Sequence, residues 1–83
     1  MLTFAIEKTF GGYRVRSEPP ARESRKSFVG ADENRAFSRA VGYAATWAAE
    51  TGVEMQDRTG RLSADQCRMA VDEIRSAVVQ VRT

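Results

Sequence analysis

The sequence predicts an α+β domain: a three-stranded antiparallel sheet covered on one face by two helices, in the order β-β-β-α-(β)-α, where the bracketed element is a possible short fourth strand. Three observations carry this reading. Leu2, Phe4 and Ile6 alternate with polar or small residues, Gly11-Gly12 separates that run from a second alternation, and from Asp32 onward the apolar residues recur at helical spacing.

The first strand places Leu2, Phe4 and Ile6 on the core and Thr3, Ala5 and Glu7 toward solvent, because successive side chains of a strand point to opposite faces. The double glycine supplies the positive φ of a tight turn. Tyr13-Arg14-Val15-Arg16 then reads as the returning strand of a hairpin, with Tyr13 and Val15 inward and the two arginines outward. Pro19-Pro20 cannot donate to a ladder, so Ser17 to Glu23 is a loop. Ser24 to Val29 is a weaker third strand, an edge blunted by charge.

Asp32 is placed as the N-cap of a helix that runs to about Thr51, with Glu33 favourable to its dipole and Gly52 as its left-handed terminator. Phe37, Ala40, Val41, Ala44, Trp47 and Ala48 share one face of it. Val53-Glu54-Met55 is the candidate fourth strand, and Asp57 to Gly60 is a turn. Ser63 and Gln66 form a capping box, with Leu62 and Cys67 as its hydrophobic staple. The second helix carries a seam of Cys67, Val71, Ile74, Val78 and Val81. That seam packs on the sheet and the first helix, or it joins two copies of the chain; two heptads are too few for a coiled coil. The expected core is Leu2, Phe4, Ile6, Tyr13, Val15, Phe28, Phe37, Val41, Trp47, Val71, Ile74 and Val78.

Composition narrows the function. The chain has 83 residues, which suits a single domain spanning 1–83 with a thin core and no deep substrate cavity. It holds 11 arginines, 2 lysines, 1 cysteine and no histidine, with a net charge of only +2. Without histidine, a general base near neutrality needs a carboxylate or lysine with a shifted pKa, and no such residue stands out. The pairs Asp32-Glu33 and Asp72-Glu73 are adjacent on helices, so their carboxyl groups diverge. No catalytic residue, metal ligand or cofactor-binding residue is assigned. Cys67 is a small hydrophobe on an apolar face. No leader pattern and no apolar run of membrane-spanning length is present, so a cytoplasmic protein without membrane contact is expected.

The arginines remain. Guanidinium forks suit carboxylates, phosphates and aromatic faces. Arg14 and Arg16, with Arg22, Arg25 and Lys26 from the next loop and strand, could make one basic patch, which Arg35 and Arg39 extend from the first helix; the same residues could equally be a solvated face neutralised by Glu7, Glu18 and Glu23. If the patch functions, its partner is the acidic surface of a protein or the phosphates of a nucleic acid. Interrupting acids, a small net charge and the lack of interleaved aromatics favour the protein.

The order of elements, from a hairpin of the Thr-Phe-Gly-Gly-Tyr-Arg-Val-Arg kind to a third strand and a Trp-bearing, alanine-rich helix, resembles the small phage-encoded anti-CRISPR inhibitors. The resemblance implies a stoichiometric inhibitor, without enzymatic activity, that docks on a bacterial CRISPR surveillance complex and blocks target DNA in the host cytosol. A nucleic-acid-binding domain using an arginine-bearing sheet face, and a structural domain dimerising through its last helix, are the alternatives; a monomer is expected ahead of a homodimer. Charge reversal of Arg14 and Arg16 together is expected to abolish binding without unfolding the domain.

Overall fold

A computed structural model describes residues 3–18 and 25–82, with side chains described through 77. The elements run β1 (Thr3–Thr9), β2 (Gly12–Glu18), β3 (Lys26–Val29), α1 (Glu33–Thr51), β4 (Glu54–Asp57) and α2 (Ala64–Arg82). They form an α+β fold with a four-stranded mixed sheet in the order β3-β2-β1-β4.

β1 and β2 pair antiparallel from Thr3 opposite Glu18 to Thr9 opposite Gly12, and the turn between them takes its positive φ at Gly11 alone, at 80°. Gly12 serves another purpose. A Cβ there would run into the Phe28 carbonyl, so only glycine lets β3 close on β2. Tyr13 opposite Phe28 and Val15 opposite Lys26 set the register of that second antiparallel pair.

The fourth strand is real, and it makes the sheet mixed rather than purely antiparallel. α1 carries the chain back along the sheet, Gly52 turns it with φ 73°, and β4 enters beside β1 in the same direction, with Phe4 opposite Met55. A four-residue strand with one inward apolar residue, Met55, leaves no alternation from which its partner could be inferred.

α1 touches all four strands, whereas α2 touches α1 and, within the sheet, β4 alone. One helix therefore covers the sheet, and the second flanks it. Ala40, Ala44 and Ala48 are wholly buried and let α1 lie close above Phe4, Ile6, Tyr13 and Val15, whose exposures are 0–2%. Asp32 caps α1 by accepting from the Arg35 amide at 3.2 Å. The capping box of α2 forms as expected, with the Ser63 amide donating to Gln66 Oε1 at 2.8 Å and the Gln66 amide to Ser63 Oγ at 3.1 Å.

The core differs from expectation at its margins. Val41, Trp47 and Ile74 are only partly buried, while Ala36, Ala45, Met55 and Cys67 join the buried set. Leu2 and the Val78 and Val81 side chains lie outside the described residues. No helix among the described residues is long and apolar enough to cross a membrane.

Candidate functional site

The residues expected in one basic patch fall on two surfaces. Strand alternation decides it: Arg14 and Arg16 project from the sheet face opposite α1, while Lys26, paired with Val15, projects toward the α1 side together with Phe28.

On the open sheet face, register gathers acids and bases. Glu7 lies opposite Arg14, with Arg16 diagonal to it, and Glu18 follows on the same face of β2. Glu7 Oε2 accepts from Arg14 Nη2 at 2.9 Å, and its Oε1 accepts from Arg16 Nε at 2.9 Å. Arg58 reaches Glu7 at 4.0 Å and binds Glu18, which also lies 3.7 Å from Arg16. Two carboxylates thus engage three arginines. Ala5 is buried beneath this layer, at 0% exposure. The Arg14 hydrogen bond, against an opposing desolvation and with help from Arg16, holds the Glu7 carboxyl below its ordinary pKa. Reversing the charge of Arg14 and Arg16 would gather four carboxylates in this layer, the two introduced beside those of Glu7 and Glu18, so the substitution acts on stability as well as on any partner.

A second ionic cluster closes the end of the molecule where β1, β2 and α1 meet. The Tyr13 hydroxyl donates to Glu33 Oε1 at 3.0 Å and accepts from Arg61 Nη1 at 2.9 Å. Arg61 also donates to Asn34 at 2.8 Å and lies over the Phe37 ring at 4.2 Å, while Lys8 pairs with Glu33. Lys8, followed by Tyr13, holds the Glu33 carboxyl below its ordinary range, and Glu33 raises the Lys8 ammonium. Asp57 fixes the loop that presents Arg61, accepting from the amides of Thr59, Arg61 and Leu62 at 2.9, 3.0 and 2.7 Å. Each charged side chain of this cluster has a partner within the molecule.

The third region is different. Arg35, Arg39, Tyr43 and Trp47 follow one another at intervals of four along α1, a single row on the helix surface. β3 lies against this row. Lys26 Nζ stands 5.8 Å from the Phe28 ring centre and 5.4 Å from that of Tyr43, and the Arg39 guanidinium stands 5.5 Å from Phe28. Phe28 meets Tyr43 edge to face at 5.5 Å, and Tyr43 meets Trp47 at a tilt at 6.1 Å. Tyr43 and Trp47 are half-buried; Arg25, Lys26, Arg35 and Arg39 are exposed. Among the described residues none of these four cations has a carboxylate within ion-pair distance. Arg22, the remaining expected contact, lies outside the described residues.

A groove of about 540 Å³ lies between β4 and α2, lined by Met55, Leu62, Cys67 and Val71 among others. Its charges balance, with Glu54, Asp57 and Asp72 against Arg58, Arg68 and Arg75. Burial raises the pKa of the Cys67 thiol, which keeps it protonated and unreactive. Among the described residues no group of three or more carboxylates, cysteines and histidines is placed to hold a metal ion.

Tyr43 and Phe28 are contributors that charge counting alone passes over. The signal for Tyr43 lies in the spacing 35, 39, 43, 47, whereas Phe28 joins that row only through the placement of β3 against α1. No protein-family model matches this chain, and no curated protein or solved structure matches it.

Proposed function

We propose that the protein is a non-enzymatic binder that docks the β3–α1 flank on an acidic protein surface. The observation behind this reading is the set of four exposed cations that, among the described residues, have no carboxylate within ion-pair distance, beside the half-buried rings of Tyr43 and Trp47. Arginine and aromatic side chains dominate binding hot spots because they combine desolvated area with directional charge. Elsewhere on the described surface the arginines of the sheet face are held by internal carboxylates, and Arg61 spends its donors on Tyr13 and Asn34.

The resemblance to anti-CRISPR inhibitors gives the binder a specific target, a bacterial CRISPR surveillance complex whose access to DNA it blocks. A basic flank cannot occupy a phosphate-binding groove as a mimic of DNA. Inhibition would instead run through an acidic surface beside that groove, covered or held in place by Lys26, Arg35 and Arg39.

Nucleic acid is the competing partner, and the flank supports it less. Base stacking needs a free ring face. Phe28 is 5% exposed, and Lys26 already lies over both its ring and that of Tyr43.

The test titrates a type I surveillance complex onto labelled target duplex with and without the protein, with duplex plus protein alone as control. Loss of DNA binding by the complex, with no binding of naked duplex, is the expected result. Salt-sensitive binding of the naked duplex would replace the reading with nucleic-acid recognition.

A further inference from the structure

We propose that the partner presents an acidic extended segment that pairs with the outer edge of β3 as a fifth strand of the sheet. This rests on the reading of the β3–α1 flank as a protein-binding surface and adds the shape of what binds there.

The sheet has two edges, β3 and β4. They are not equivalent. α2 packs beside β4, whereas among the described residues no element lies beyond β3. Among the described residues β3 therefore ends the sheet with one row of backbone amides and carbonyls facing no neighbouring strand, the arrangement used in recognition by strand addition.

Edge strands are usually protected by proline, by bulges or by a lysine that keeps its charge in the path of an incoming strand. β3 contains no proline, and its lysine is turned aside: Lys26 lies over the Phe28 and Tyr43 rings on the α1 side. Ser27 is small, and Val29 is 61% exposed. No residue from Arg25 to Val29 is acidic, so the edge carries only positive charge.

Alternation then specifies the occupant. A strand laid on β3 at the usual spacing of about 4.8 Å would turn every second side chain toward α1, where it meets Lys26, Arg39 and the edge of Tyr43. Carboxylates fit those positions. The intervening side chains would face the other way, beside Ser27 and Val29, where β-branched residues fit. The recognised segment is an alternation of Glu or Asp with Val or Thr over four to six residues.

The probe is a synthetic, end-capped peptide, Thr-Glu-Val-Glu-Val-Glu-Thr, titrated into the full chain at low salt and followed by amide hydrogen exchange. Binding is expected to slow exchange in residues 26–29 at least tenfold and to spare β4. Versions N-methylated at alternate amides, in both registers, keep the charge but block one edge of the peptide; at least one should bind ten times more weakly. A version with lysine for glutamate should not bind. Equal binding by both methylated peptides, or binding without protection at β3, would overturn strand addition and leave the acidic-partner reading standing. If no acidic peptide binds at millimolar concentration, strand addition is also overturned. The broader reading is judged separately, by whether Lys26→Glu with Arg39→Glu relieves inhibition of the surveillance complex: if those substitutions leave inhibition intact, that reading fails.

Discussion

The open sheet face and the β3–α1 flank carry similar numbers of cations and use them in opposite ways. On the sheet face, Arg14, Arg16 and Arg58 surround Glu7 and Glu18, whose side chains are 20% and 32% exposed. On the flank, Arg25, Lys26, Arg35 and Arg39 have no acid among the described residues and rest on rings or in solvent. Positive charge alone therefore says little about where a protein binds. What separates the two regions is whether strand register has already supplied the counter-charge, because a guanidinium held by an internal carboxylate must give up that bond to engage a partner.

The comparison can be broken first at the joint the regions share. Gly12→Ala would drive a methyl group into the Phe28 carbonyl and pry β3 from β2, which disturbs both surfaces. We expect a loss of about 3 kcal/mol, near the upper end for overpacking, read as a lowered urea midpoint with unchanged slope. An unchanged midpoint would mean that β3 is not held at the observed distance.

Next comes the sheet face. Arg14→Glu with Arg16→Glu places like charges opposite and diagonal to Glu7, and should cost about 2 kcal/mol by the same measurement. A variant as stable as the parent would show that the ionic layer contributes nothing to folding.

Smaller still is the effect of Glu7→Gln, about 1 kcal/mol at neutral pH given the partial solvent screening of the site. Its sharper signature is pH. The native carboxyl titrates below its ordinary value of 4.5, so the stabilisation it gives is present above that pH and is lost as pH falls through the lowered native value. Wild type should therefore lose stability on acidification below about pH 4.5, and Glu7→Gln should show a shallower acid limb. Superimposable limbs would remove the network from the account.

The least effect on stability belongs to the flank. Lys26→Glu with Arg39→Glu should lower the unfolding free energy by less than about 1 kcal/mol, because exposed cation–π contacts to Phe28 and Tyr43 are lost but no ion pair is broken and no core side chain is removed.

Local chemistry made much of this fold legible in advance. Asp32, Gly52 and the Ser63-Gln66 box mark helix ends through hydrogen bonds that reach only a few residues, and the alternation in Thr3–Thr9 and Gly12–Glu18 announces a hairpin. Long-range placement was not legible. That β4 runs parallel to β1 depends on how far α1 carries the chain back, and that α2 misses most of the sheet depends on β4 standing at the edge. The proposed contact surface divides along the same line. Arg25, Lys26, Arg35 and Arg39 were identifiable as exposed cations, but their separation from Arg14 and Arg16 turns on the pairing of Val15 with Lys26, which no pattern within four residues of β3 encodes. A one-residue slip in that register would have put Lys26 on the other face.

The most direct test of the flank as the contact surface compares two variants in the surveillance-complex assay, at a temperature where both are folded. Arg14→Gln with Arg16→Gln should inhibit DNA binding as wild type does, and Lys26→Glu with Arg39→Glu should inhibit at least 100-fold more weakly, about 2.7 kcal/mol. Full inhibition by the flank variant, with loss in the sheet-face variant, would contradict the account and return the site to the open face of the sheet.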